Sequence, residues 1–233
     1  MKQKLSIFKL INKIGFEWEA GVNTRMNSDL PDRFVFAYDS SIHRNNYRLH
    51  ALEIVSPPLE PKEIKEKIKL CKQVVKETNT SMGFHVHVSV NAPYELFANE
   101  KFIKFAKDKI KEFADGYKDT ELRDRFDNHY CNINKKIQIE RQSDNLNKGS
   151  ARYRFINFCY GLHTTIEFRI FPSVNNYYKL CSYITLVQSI IQRFYLDEKF
   201  KYKTKNNFED SDESEIIKNV VEIPLGIGGD RNV

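Results

Sequence analysis

Apolar residues recur at every second position early in the chain and at every third or fourth position further on, and that change of period separates strands from helices. Residues 5–21 alternate as a strand that ends at Gly21. "RFVFAY" (33–38) and "LHALEIV" (49–55) are β-branched and aromatic runs, the second stopped by Pro57 and Pro58. From Pro61 the period becomes helical, with Ile64, Ile68, Cys71 and Val75 on one stripe. Gly83 opens another strand, "GFHVHVSV", and a second helix follows with Phe102, Phe105, Ile110 and Phe113 on its apolar side. "YRFINF" (153–158) and "TTIEFRIF" (164–171) read as strands joined by a turn at Gly161, and the last helix runs from about Val174 to Phe194 with Leu180, Ile184, Val187 and Ile191 inward. These helical stripes are core packing faces.

Strands interrupted and then followed by helices predict an α+β fold with the helices on one face of a sheet. Residues 116–150 break the pattern. They are charged, Asn-rich and weakly periodic, and read as an insertion or long active-site loop. From Lys199 the chain turns polar and acidic, so residues 1–198 are expected to form one domain and 199–233 a peripheral tail.

Composition narrows this only a little. A chain of 233 residues with 41% hydrophobic positions can bury a core of its own. The formal net charge of +6 suits an anionic partner, nucleotide or nucleic acid, although an ordinary basic surface yields the same number. Cys71, Cys131, Cys159 and Cys181 show no CxxC pairing, no signal peptide is evident, and no apolar run approaches the ~20 residues that cross a bilayer. The expectation is a cytoplasmic protein with free thiols and no membrane partner.

The polar residues inside the strands carry the candidate chemistry. Glu17 and Glu19 flank the single tryptophan in "GFEWEAG"; His85 and His87 stand two apart in "FHVHVS"; Glu167 and Arg169 do the same in "TIEFRI"; Glu53 lies among apolar residues in "ALEIVSPP". Residues two apart on a strand share a face. Any one pair reads by itself as the wet face of a half-buried strand. Together they would line one sheet face with carboxylates, imidazoles and a guanidinium, and the carboxylates would repel one another in a desolvated site. Divalent cations remove that cost, and an oxygen-rich donor set favours Mg²⁺ or Mn²⁺ over zinc. On this reading, Glu→Gln at Glu17, Glu19 or Glu167 should stabilise the metal-free fold.

In order along the chain, "GFEWEAG", "YDSS", "LEIVSPP", "GFHVHVS", "RYRFIN" and "TIEFRIF" resemble the amidoligase family, carboxylate–amine ligases related to glutamine synthetase and glutamate–cysteine ligase. The resemblance spans roughly residues 14–196. It implies a curved, mainly antiparallel sheet like the glutamine synthetase catalytic domain, with metal and ATP on its concave face and helices on the other. It also implies ATP-dependent formation of an amide through an acyl phosphate. By the same resemblance, Glu17, His85 and Glu167 match the metal set beside the transferred phosphate, and Glu19 and Glu53 the metal position next to the organic substrate. Arg169 would meet the γ-phosphoryl oxygens, Arg152 and Asn157 phosphate or a substrate carboxylate, and Asp39 and Ser40 a turn at the ATP. His87 is a second ligand or a hydrogen-bonding neighbour, and both readings stay open. Arg154 and His163 fall outside the motif positions and read as structural or surface residues. The choice of carboxylate and amine would lie in residues 22–32 and 116–150.

Three other readings compete. A metal-dependent hydrolase or nuclease would also gather carboxylates and histidines, but has no evident need of the Glu167–Arg169 pair. A cupin-like metal site wants a glutamate soon after His-x-His, and the nearest, Glu95, follows Pro93 at a helix start. A non-enzymatic basic module would bind nucleic acid without nucleotide turnover.

Overall fold

The computed structural model describes residues 10–137, 153–159 and 164–205. The strands are β1 (Ile11–Val22), β2 (Val35–Ala37), β3 (His50–Val55), β4 (Val75–Glu77), β5 (Gly83–Val90), β6 (Ile156–Cys159) and β7 (Thr165–Pro172). The helices are α1 (Ile64–Cys71), α2 (Glu100–Gly116), α3 (Thr120–Asp124) and α4 (Tyr177–Lys205), with short 3-10 turns between some elements. All seven strands join one sheet in the order β2–β3–β1–β5–β7–β6, with β4 attached to β1, and the pairings among these described strands are antiparallel. The chain divides into compact units at residues 1–195 and 196–233; of the second, the structure describes the end of α4. No helix among the described residues is long and apolar enough to cross a membrane.

β1 is the central strand because its even positions from Ile14 to Val22 are apolar. Ile14, Phe16, Trp18 and Ala20 are all buried, on the same face as Phe84, Val86 and Val88 of β5 and Ile54 of β3. The helices cover that face: Phe102 of α2 meets Phe158 of β6 at 6.3 Å between ring centroids, and Tyr183 of α4 stacks on Phe171 of β7 at 4.7 Å. The expected stripes on α1, α2 and α4 are there, apart from half-buried Phe105. Asn99 caps α2 by accepting a hydrogen bond from the Phe102 amide.

Val75 departs from the expected helix. α1 ends at Cys71, a turn closes through Val74 N–H to the Cys71 carbonyl, and Val75 starts β4. β5 pairs with β1 only as far as Trp18, so β4 takes up the same edge at Gly21 and Val22. A β-branched pair at the free end of a long strand is worth more there than as one further helical turn.

The segment read as an insertion begins inside the core. Asp119 caps α3, and Leu122, Arg125, Cys131, Ile133 and Ile137 are buried. Buried positions spaced so irregularly give no period, which is why the stretch looked like a loop. Residues 138–150 of that segment, the Gly161 turn and residues 5–9 lie outside the described residues. The last helix continues to Lys205, past the point where composition turns polar. All four cysteines are buried and free.

Candidate active site

The alternation that buries Trp18 lifts its neighbours Glu17 and Glu19 to the other face of the sheet. Register then sets their companions. Glu17 lies opposite His85, Glu19 opposite Glu53, and His87 opposite Glu167, which in turn faces Asn157. Between β5 and β7 the register shifts: Phe84 pairs with Phe171 but Val86 with Phe168, so Arg169 and Ile170 together oppose His85. This extra residue is a bulge, a device that re-aims a side chain.

Contacts knit the row together. His85 Nδ1 lies 3.0 Å from Glu17 Oε2 and its Nε2 lies 3.5 Å from Glu19 Oε1. His87 Nε2 is 3.3 Å from Glu17 Oε1 and 3.8 Å from Glu167 Oε1, yet aligned with neither as a hydrogen bond. Arg169 Nη1 donates to Glu167 Oε1 at 2.7 Å, and Asn157 Nδ2 donates to Glu167 Oε2 at 2.9 Å. Glu19 Oε2 accepts the Gly83 amide at 2.6 Å. Arg169 Nε is buried and has no hydrogen-bond partner among the described residues.

The charges are unevenly shared. Burial raises the Glu17 carboxyl, but His87 and His85 outweigh it and hold Glu17 well below the usual value. Glu167 is likewise lowered: burial works against this, and Arg169 and His87 overcome it. His87 is raised by Glu17 and Glu167 against its own burial. Glu53 lacks such partners. Burial first, then Glu17, Glu19 and Asp39, push its carboxyl up to about 9. Like-charge stress, expected across the whole cluster, is therefore concentrated in Glu53, and the expectation that Glu→Gln at Glu17 or Glu167 stabilises the metal-free fold is replaced by the opposite sign.

Two donor sets could hold a cation. Glu17, Glu53 and His85 offer ligand atoms within 4.8 Å of one another, and so do Glu17, His87 and Glu167; Glu17 belongs to both. Such spacing fits around a hard ion with ligands at roughly 2.0–2.4 Å. A cation held there would partner His87 Nε2 and offset the neighbouring charges that raise the Glu53 carboxyl.

Of the other expected residues, Asp39 Oδ1 accepts the Ser41 amide and hydroxyl in a tight turn, near enough to Glu53 to raise it, and Ser40 is exposed on that turn. Arg152 and His163 lie outside the described residues. Arg154 donates to the Lys136 and Tyr153 carbonyls.

Sequence reasoning missed Arg125. It is buried and donates to the carbonyls of Met82, Arg169 and Ile170, fastening the start of β5 to the β7 bulge. A Cβ at Gly83 would stand 2.7 Å from His85 Nε2 and 3.0 Å from Arg125 Nη2, so both side chains crowd this one glycine. Gly83→Ala is therefore expected to displace the His85 ring and weaken divalent-cation binding about 10–100-fold, as loss of support for a ligand does. Titration calorimetry with Mn²⁺ would check this; unchanged affinity would show that His85 is not held for a metal.

Fold and site together define an α+β protein with a carboxylate–imidazole–guanidinium centre on one face of an antiparallel sheet. The model of a family described as "Putative amidoligase enzyme" matches residues 11–100, from β1 to the start of α2, a match that supports an amidoligase assignment for that stretch. The matched stretch contains Glu17, Glu19, Glu53, His85 and His87. No curated protein and no solved structure matches the chain.

Proposed function

We propose that the protein is an ATP-dependent carboxylate–amine ligase of the glutamine synthetase type, working with Mg²⁺ or Mn²⁺. The observation that carries this reading is the pair of donor sets sharing Glu17, beside the half-buried guanidinium of Arg169, whose Nη1 pairs with Glu167. A hydrolase needs the carboxylates; it has less use for a cation fixed beside them.

Glu17, His87 and Glu167 would hold one divalent ion and Glu17, Glu53 and His85 another, and such ions neutralise triphosphate oxygens when bound. Phosphoryl transfer asks mainly for position and charge. Glu167, itself held by Asn157, accepts from Arg169 Nη1 and orients the guanidinium, whose accessible edge would donate to a γ-phosphoryl oxygen. A substrate carboxylate oxygen attacks the γ-phosphorus, ADP leaves, and an acyl phosphate forms. The amine then attacks the acyl carbon, phosphate leaves with the bonding pair, and the nitrogen sheds a proton. Glu19, tied to the Gly83 amide, keeps β1 and β5 in register beneath these steps.

Two measurements test this. ATP should raise the melting temperature clearly with Mg²⁺ and hardly at all in EDTA, since binding only to the folded form stabilises it. Cell extract supplied with ATP and Mg²⁺ should yield ADP and new amide masses. Equal melting shifts in both buffers, or ATP consumption with hydrolysis products alone, would overturn the ligase reading.

A further inference from the structure

The segment that carries Arg125 also carries a feature that neither the sheet nor the donor sets require. Arg125 roots it to the carbonyls of Arg169 and Ile170. Beyond that root the chain turns tightly: Ile133 N–H bonds to the Phe126 carbonyl at 3.0 Å, and the Asn128 side chain accepts the Tyr130 amide at 2.9 Å. Cys131 and Ile133 are buried beneath, while His129 and Tyr130 are exposed at the tip. There they meet Tyr153. Ring centroids are 5.1 Å apart for Tyr130 and Tyr153, 5.3 Å for His129 and Tyr130, and 5.6 Å for His129 and Tyr153.

Three rings packed against one another, two of them exposed at the tip of an anchored loop, offer aromatic surface at the edge of the fold. Their place in the fold gives them a use. The Arg169 amide donates to the Phe155 carbonyl at 2.9 Å, and Tyr153 stands two residues before Phe155 across a bend, at most about 7 Å away along the backbone. The cluster therefore lies at the Arg169 end of the site, within the span of a ribose and its phosphates. Arg169, half-buried and paired through Nη1 with Glu167 Oε1, is the cation at that end which an anion would meet.

We propose that His129, Tyr130 and Tyr153 form the stacking platform for the purine base of the nucleotide whose terminal phosphate meets Arg169. The proposal rests on the phosphate-site reading above and adds the base end to it. Stacking uses the face of a base rather than its edge, so the platform selects for a planar ring system over a bare polyphosphate.

The experiment compares two probes by calorimetry in Mg²⁺: a non-hydrolysable β,γ-imido analogue of ATP, and inorganic tripolyphosphate, which has the phosphates without the base. Wild-type protein should bind the analogue about 10–100-fold more tightly, the range a stacked base contributes. Tyr130→Ala and Tyr153→Ala should each remove most of that preference and leave tripolyphosphate affinity unchanged, while Tyr153→Phe retains it. Should Tyr153→Ala fail to fold, Tyr130→Ala and His129→Ala at the exposed tip carry the test. Equal wild-type affinity for both probes would overturn the platform and leave the phosphate site standing. Equal loss of both probes in the variants would overturn it too, showing that the rings only brace the loop. If neither probe binds wild type, the platform falls together with the ligase reading.

Discussion

Glu17→Gln should lower ATP turnover by about 10²–10³-fold, the range seen when one preorganised charge-stabilising group is removed from a site. Glu17 is the residue common to both donor sets, so one substitution weakens both. The same change should destabilise the metal-free protein, because His87 and His85 lose the carboxylate they face. Glu53→Gln should also impair turnover and yet stabilise the metal-free fold. The signs follow from the two carboxyls. Glu17 is held below its ordinary value, so it contributes stability above the usual carboxylate range that is lost as pH falls through its folded value. Glu53 is held up to about 9 against an ordinary 4.5; its contribution is complete below about 4.5 and disappears as pH rises toward about 9. Glutamine at 53 should therefore flatten the decline of metal-free stability across that window, and glutamine at 17 should not. Melting curves in EDTA from about pH 5 to 9, beside ADP-release assays, decide it. If both variants proved less stable with near-normal turnover, these would be structural strand carboxylates.

Arg125→Ala should be the most destabilising single change proposed for this chain, by about 3–5 kcal/mol, since it takes the donor from two buried carbonyls and a third that is part-buried. Arg125→Lys should recover only part, because an ammonium cannot reproduce a planar fork reaching three acceptors. Loss should extend to the site. The bulge that aims Arg169 is fastened by those same bonds, so Arg125→Lys should fold and still show a reduced Mg-ATP melting shift. Denaturant melts of the three proteins measure the first effect, and melts with Mg-ATP the second. A stable Arg125→Ala with a full ATP response would show that the bulge holds itself.

The polar pairs were legible in the sequence because strand alternation is strict: once the run around Trp18 is a strand, Glu17 and Glu19 must share a face. The α+β division and most of the helical stripes followed from period in the same way. Register was not legible. Nothing local says that Glu17 meets His85, or that β7 carries an extra residue bringing Arg169 opposite that histidine. Arg125 escaped for a related reason. In a charged stretch a lone arginine looks solvated, and only the carbonyls of Met82, Arg169 and Ile170, distant in sequence, make it a core residue. Charge was half legible: carboxylates were countable, but which of them the imidazoles and guanidinium compensate depends on contacts across strands. Trimming residues 117–137 as a dispensable loop would remove part of the core.

Trp18 offers an optical handle on all of this. It is the chain's single indole, fully buried between the two glutamates of β1, and its Nε1–H donates to Ser173 Oγ at 2.9 Å. That hydroxyl passes the connection on to the Glu19 carbonyl at 2.6 Å. Emission from this side chain comes from one known place, on the reverse of the strand that presents Glu17 and Glu19, shielded from aqueous quenchers. Intrinsic fluorescence can therefore follow any shift of β1 against the end of β7 as the opposite face fills, without a label and without an added chromophore near the carboxylates.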